Sequence, residues 1–419
     1  MRNHAAQMIS FLNVAAARLS IVSAVLLAGS TQLLWTVPSV FGAEPKARLV
    51  EIRDDSRTYL GKVVAKDGNQ CFLMDQFGAM AQLPISRLQS FQVVSESYQP
   101  SSASAFRKHL QTEFAAGFEV LASSHYVVVG KKGRAKAYSA LFEEIYRQVH
   151  LFYSVRGFEL SAPEVPLIAI VFGTQNEFKE YCGKDQVLWS PDLRGYYSLK
   201  TNRVALFDDP GLINGITSTD DISTGRLRTS DDAESIPRLQ YSSSTLAALL
   251  NSVAGETADT IVHETTHQVG YNIGIHSRIG ETPTWVVEGL ATVLEAPGMR
   301  LRSRNSGNTK LNNDRLNWFN NEYESRRRPG DLAMMIASDE IFRNQTLDAY
   351  SAAWAFSYFM TENPARAKLF VQYLKILSKR DPMKASSPEE RLKDFQSVFG
   401  DISRMEVDFL RFIDRIEQP

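Results

Sequence analysis

The chain has 419 residues, 44% of them hydrophobic and 22% charged, with a formal net charge of −1 at pH 7. That length exceeds one ordinary domain and leaves ample material for a large core, in a composition typical of globular proteins. No basic stripe with interleaved aromatics runs through it, which argues against a nucleic-acid partner.

Residues 1–43 contain Arg2 and Arg18 but no acid, and a largely apolar run extends from Leu19 to Ala28, then less cleanly to Val37. This pattern predicts a secretory signal cleaved after Gly42 or Ala43. The alternative is an uncleaved membrane anchor, although Gly29, Ser30, Thr31 and Gln32 interrupt the run short of the ~20 apolar residues a span needs. The expectation is an exported protein, periplasmic or extracellular, held at a membrane only if this segment stays in place. Cys71 and Cys182 could pair in such a compartment, but two scarce cysteines in separate predicted domains are expected as buried thiols.

Residues 45–98 alternate apolar and polar side chains in short runs, broken by turn chemistry such as Lys66-Asp67-Gly68-Asn69. They predict a small all-β barrel of about five strands, which resembles the SH3-like modules of many exported bacterial proteins. Residues 99–104, with Pro100 and flanking serines, read as a linker.

The remaining chain, 105–419, alternates helix and strand signals and then turns wholly helical, which predicts an α+β domain: a small mixed sheet followed by a helical subdomain. Its β-rich part, 105–208, opens with a helix near Ala105–Phe114 and a strand at Tyr126–Val129. Tyr138, Leu141, Phe142, Ile145, Tyr146, Val149 and Phe152 then share one side of a long helix from Ala135. The continuous apolar run Pro166–Phe172 predicts a buried strand, and Gly195–Leu199 with Arg203–Phe207 predicts a hairpin that is either a sheet edge or core. Residues 209–244, rich in Ser, Thr, Asp and Gly, read as a long loop, partly mobile or folded over the site. Metal-binding helices are expected over 245–296, with Leu246, Leu249, Leu250 and Val253 opening an apolar face. A solvated Asn/Arg-rich insertion is expected over 297–330 and further helices over 331–419.

The chemistry centres on Ile261-Val262-His263-Glu264-Thr265-Thr266-His267. On a helix, residues four apart share a face, so His263 and His267 can turn ring nitrogens toward one metal ion, with Glu264 where a general base must sit. Two histidines do not complete a catalytic zinc site. Downstream stands Thr284-Trp285-Val286-Val287-Glu288-Gly289-Leu290-Ala291-Thr292-Val293-Leu294-Glu295, with Thr282 and Pro283 placed to start its helix. Trp285, Glu288, Thr292 and Glu295 fall on one face.

His-Glu-x-x-His followed by Trp-x-x-Glu-Gly-x-Ala-Thr-x-x-Glu resembles the gluzincin metallopeptidases, and in particular the peptidase MA-like domains of exported bacterial proteins. The resemblance implies a zincin-like fold and one zinc ion per chain, held by His263, His267 and Glu288, with Glu264 as general base. It also implies that Thr292 orients a ligand histidine, and Glu295 is a second candidate for such a role. The family draws its oxyanion donor from the helical region beyond the ligands. There Tyr350, which opens a helix rich in small residues, is the first choice and Tyr358 the second.

Gly270 suggests a rival, metzincin-like pattern, but Ile273 occupies the position of its third histidine and His276 comes three residues later. His109, His125 and His150 are expected as packed or surface residues. The family's aminopeptidases also carry a Gly-x-Met-Glu-Asn strand. The nearest match here, Gly78-Ala79-Met80-Ala81-Gln82, lacks the acid and falls in another domain. The expectation is therefore an endopeptidase acting on proteins or peptides. A catalytically silent zinc-binding protein and a zinc hydrolase of a non-peptide substrate are the alternatives.

Overall fold

The computed structural model describes residues 47–114, 116–208, 255–300 and 310–416. The predicted signal segment, the 209–244 loop, Leu246 to Val253 and positions 301–309 of the Asn/Arg-rich stretch lie outside them. The described residues form a mixed α+β fold in which two five-stranded sheets precede a helical region.

Strands β1 (Leu49–Asp54), β2 (Thr58–Lys66), β3 (Gln70–Asp75), β4 (Met80–Pro84) and β5 (Leu88–Ser95) pair antiparallel in the order β4-β3-β2-β1-β5. The turn between β2 and β3 forms as its residues dictate. The Asp67 carboxylate accepts from the amides of Asn69 and Gln70 at 2.7 and 2.8 Å, making an Asx turn. The expected barrel does not close: β4 and β5 stand at opposite edges of the sheet, and β5 is exposed along most of its length. Its core is built on Val50, Ile52, Cys71, Leu73 and Leu83.

Ser102 then starts α1 (Ala103–Glu113) by accepting from the Ala105 amide at 3.2 Å. The second sheet comprises β6 (Phe118–Ala122), β7 (Tyr126–Lys131), β8 (Leu167–Phe172), β9 (Gly195–Ser198) and β10 (Arg203–Phe207), with α2 (Ala135–Ser154) and α3 (Gln175–Asp185) between strands. Its order is β6-β7-β8-β10-β9; the three central strands run parallel, and the two outer strands antiparallel to their neighbours. All six side chains of β8 are buried, because both faces of the sheet are covered. Leu167, Ala169 and Val171 join one core with α2 and the later helices, while Ile168, Ile170 and Phe172 join another with α1 and α3. Such an all-apolar strand needs cover on both sides. In the predicted hairpin, β10 is interior and β9 is the sheet edge.

The helical region contains α4 (Gly255–Asn272), α5 (Thr284–Glu295), α6 (Asn313–Asn317), α7 (Asp331–Ala337), α8 (Glu340–Asn344), α9 (Thr346–Glu362), α10 (Pro364–Ser378), α11 (Pro388–Phe399) and α12 (Ile402–Ile413). Every side chain from Trp285 to Glu295 is buried. On one side Trp285 stacks on Phe370 and Tyr373, with ring centroids 5.8 and 6.0 Å apart. On another, α9 comes so close that a Cβ on Gly289 would lie 2.5 Å from the Ala353 carbonyl oxygen and nearer still to Ser357 Oγ. The Glu-Gly pair of the motif thus has a packing reason for its glycine.

Two expectations are corrected here. The first turn of α5 is not capped by the Thr282 side chain; the Thr284 amide donates instead to Asp339 Oδ1 at 3.0 Å. Asp339 sits between α7 and α8, and Arg391 of α11 holds it through two hydrogen bonds of 3.0 and 2.9 Å. Nor is the described part of the Asn/Arg-rich stretch a solvated insertion. Leu316, Phe319 and Tyr323 enter the main core, their helical spacing masked in the sequence by polar neighbours.

Candidate metal centre

The motif helix is fixed to the second sheet by amides. Gln268 donates to the carbonyls of Ile168 and Asn202 at 2.9 Å each, and Asn272 exchanges side-chain hydrogen bonds with Asn202 at 2.8 and 2.9 Å. Asn202, at φ +60° in the β9–β10 turn, also accepts from the Tyr197 hydroxyl at 2.8 Å. These buried amide hydrogen bonds set the rotation of α4 about its axis, and with it the face that carries His263 and His267.

On that face His263 Nε2 and His267 Nε2 lie 3.0 Å apart, and Glu288 Oε2 lies 3.3 Å from the first and 3.5 Å from the second. A tetrahedral ion with bonds of about 2.0–2.1 Å spaces its donors about 3.3 Å apart, so the three atoms fit one metal ion. Among the described residues this is the group of His, Cys, Asp and Glu side chains placed to hold one. Electrostatics agrees: although burial opposes ionisation, His267 and His263 hold the Glu288 carboxyl well below the usual carboxylate range. His263, also against its burial, is raised by hydrogen bonds to Glu288 and Glu295, while burial lowers His267.

Glu264 is 4% exposed, and burial pushes it up to about 7, with Glu288 adding to the shift while the His263 charge and the Tyr197 amide oppose it. Its Oε2 accepts from the Tyr197 amide of the edge strand at 2.8 Å. Glu295 places Oε1 2.8 Å from His263 Nδ1, and its Oε2 accepts from Asn312 Nδ2 at 2.6 Å. A carboxylate behind a ligating histidine fixes the tautomer and the ring orientation. The Thr292 hydroxyl donates within its own helix, to the carbonyls of Glu288 and Gly289 at 2.8 and 3.0 Å. A threonine hydroxyl in a helix readily bonds back to the preceding turn.

Of the two tyrosines, Tyr350 reaches the site. It is buried, and burial followed by the Glu288 charge and hydrogen bond raises its hydroxyl well above the usual range. Tyr358, two turns further along α9, stacks on Trp354 at 5.7 Å and faces Glu362. His276 is not among the converging donors. Its ring packs on Gly270, where a Cβ would come within 2.8 Å, and burial pushes it down to about 3. His109 stacks on Phe77 and His125 bonds Glu143, as packed or surface residues do. Cys71 and Cys182 are buried free thiols in different cores. Behind His263, a cavity of about 20 Å³ lined by Asp259, Glu295, Asn312 and Arg315 has room for one water. A wider cavity of about 1150 Å³, against Arg326, Met334 and Asp348, is not lined by any of the three donors.

Sequence reading missed two of these contacts. The Tyr197 amide is a backbone group whose position only the fold reveals, and Asn312 sits in a stretch rich in other asparagines.

A family model described as a protein of unknown function, DUF1570, matches residues 257–384. The match contains all three donors, Glu264 and Tyr350, and excludes both sheets. Comparison with curated proteins finds no match.

Proposed function

We propose that this chain is an exported zinc metallopeptidase of the gluzincin type, cleaving proteins or peptides internally. The observation that carries the reading is the spacing of His263 Nε2, His267 Nε2 and Glu288 Oε2, at 3.0, 3.3 and 3.5 Å, beside a buried carboxyl at Glu264. Three ligands with a neighbouring acid suit a catalytic ion, whereas a structural zinc site closes with four ligands and has no use for a base.

When bound, zinc would supply Lewis acidity and lower the pKa of a coordinated water to about 7. Glu264, buried beside the three donors, is placed to take a proton from water and return it to the leaving amine. The Tyr197 amide anchors one of its oxygens and leaves the other for that transfer. Glu295 and Asn312 orient His263. Tyr350, beside Glu288, is the donor for the oxyanion. Edge strand β9 offers backbone for an extended substrate. The zincin-like fold and the SH3-like kinship of the first sheet belong to the same reading, as do export and the signal segment on Arg2, Arg18 and the run after Leu19. No helix among the described residues is long and apolar enough to cross a membrane.

The test is metal content of the chain without residues 1–43, together with cleavage of a quenched-peptide library. The expected result is one zinc per chain, strongly weakened by Glu288→Ala, and cleavage abolished by Glu264→Gln. Zinc bound without cleavage of any peptide would replace this reading with a silent binding protein or a hydrolase of another substrate. No zinc bound would remove the metal centre altogether.

A further inference from the structure

Arg278 lies in the loop between the two ligand helices, α4 and α5. Its guanidinium donates twice to the Leu199 carbonyl, from Nε at 3.2 Å and Nη2 at 2.6 Å, and from Nη1 to the Gly78 carbonyl at 2.9 Å. Leu199 follows directly on edge strand β9, and Gly78 belongs to the β3–β4 turn of the N-terminal sheet. One rigid fork thus ties together the ligand-helix loop, the edge strand and the first sheet. Beside it, the Met80 amide donates to the Lys200 carbonyl at 2.7 Å, so the two sheets also share a backbone hydrogen bond.

The turn that presents the Gly78 carbonyl is itself fixed. Gly78 has φ +81°, and a Cβ there would meet Val165 at 2.7 Å. The Asp75 carboxylate accepts from the Phe77 and Ala79 amides at 2.9 and 2.8 Å. A second tie adjoins this turn, where Lys62 pairs with Glu164, the neighbour of Val165, at 2.5 Å. These contacts do not describe a spacer swinging on a linker.

Among the described residues strand β9 has a ladder partner, β10, on one side only, and its Tyr197 amide holds Glu264. We infer that Arg278 is a positioning residue for Glu264, acting through β9, and that the N-terminal sheet is a working part of the site because it supplies the anchor on the far side of the clamp. The inference rests on the peptidase reading for its effect on turnover, and on geometry alone for its effect on β9. Misplacing a reacting group by about 1 Å can cost about a hundredfold in rate, so a loosened β9 is felt in catalysis before it is felt in stability.

The test uses two single variants of the chain without residues 1–43, each cutting the link from a different side. Arg278→Gln removes the fork, and Met80→Pro removes the donor to Lys200. Metal content, kcat/KM on the peptide library and amide hydrogen exchange over residues 195–200 are read for both. The expected result is wild-type metal content, faster exchange over 195–200 and kcat/KM lower by roughly 10- to 100-fold. Arg278→Lys, which can hold one carbonyl at a time, should fall between Arg278→Gln and wild type. Unchanged exchange over 195–200 overturns the inference, as does kcat/KM within about twofold of wild type despite faster exchange. So does a parallel loss of metal and turnover, which would mark the clamp as general scaffolding. If the wild-type chain cleaves no peptide, the peptidase reading fails on its own and the exchange data decide the clamp.

Discussion

Gly289→Ala probes the tightest packing in the metal centre with the smallest possible change. The added Cβ would sit 2.5 Å from the Ala353 carbonyl oxygen and 3.0 Å from its carbonyl carbon, with Ser357 Oγ closer again. Ordinary contact begins near 3.4 Å, so α5 and α9 must separate by roughly 1 Å, and neither can yield by a rotamer change because backbone blocks the way. Overpacking of this kind costs about 1–3 kcal/mol, which lowers Tm by about 2–4 °C for each kcal/mol in a domain of this size. The larger effect falls on the metal. Glu288 is the adjacent residue, and donor distances are tolerated only within about 0.2 Å, so zinc affinity should drop by at least 10-fold. Thermal unfolding and competition with a fluorescent chelator measure the two effects separately. Ser357→Ala in the same background should restore part of the stability, since it removes one obstacle and leaves the Ala353 carbonyl. A Gly289→Ala chain with wild-type Tm and zinc affinity would refute the reasoning, because it would mean that the α5–α9 contact is far softer than its geometry requires.

Two further outcomes follow from the surroundings of His263 and Glu264. Glu295→Gln should lower zinc affinity by about 10- to 100-fold, the usual cost of losing the partner behind a ligating histidine, while circular dichroism stays unchanged. In metal-free protein, Glu264 keeps its proton up to about pH 7 when folded, against an ordinary value of 4.5. At Glu264 the folded state therefore binds more protons across that window, and this residue's contribution to stability falls as pH rises from about 4.5 to 7. Urea unfolding in the presence of a chelator should show Glu264→Gln reducing this slope by at most about 1.4 kcal/mol per pH unit. A residual slope is expected from Asp259, which burial also pushes up to about 7.

The parts of this protein legible in its sequence are those governed by short-range rules. His263 and His267 had to share a face because four residues make about one helical turn, and β8 had to be buried because Leu167–Phe172 contains no polar residue. Glu288 was reachable only through the resemblance. What the sequence concealed depends on distant partners. The α5 cap comes from Asp339, more than fifty residues downstream, rather than from Thr282 next door. Thr292 and Glu295 lie on the same face as Glu288, but the short threonine bonds back to its own helix while the longer glutamate reaches His263. Alternation of apolar and polar residues marked the strands of the first sheet, but it does not reveal whether the edge strands β4 and β5 meet. The buried Leu316, Phe319 and Tyr323 show how Asn and Arg neighbours can hide a helical stripe.

The Gln268 side chain has a consequence for where this protein can be cut. Residues 257–384 contain every donor, yet the amide that orients their first helix bonds to carbonyls at Ile168 and Asn202. Isolated from the sheets, that stretch would expose the apolar side of α4 and leave the Gln268 and Asn272 amides without their sheet partners. Such a fragment should behave as a collapsed, aggregation-prone chain with weak metal affinity. The Gln268 bond to Ile168 closes a loop of 100 residues, and such long closures make slow folding the expected cost of the architecture.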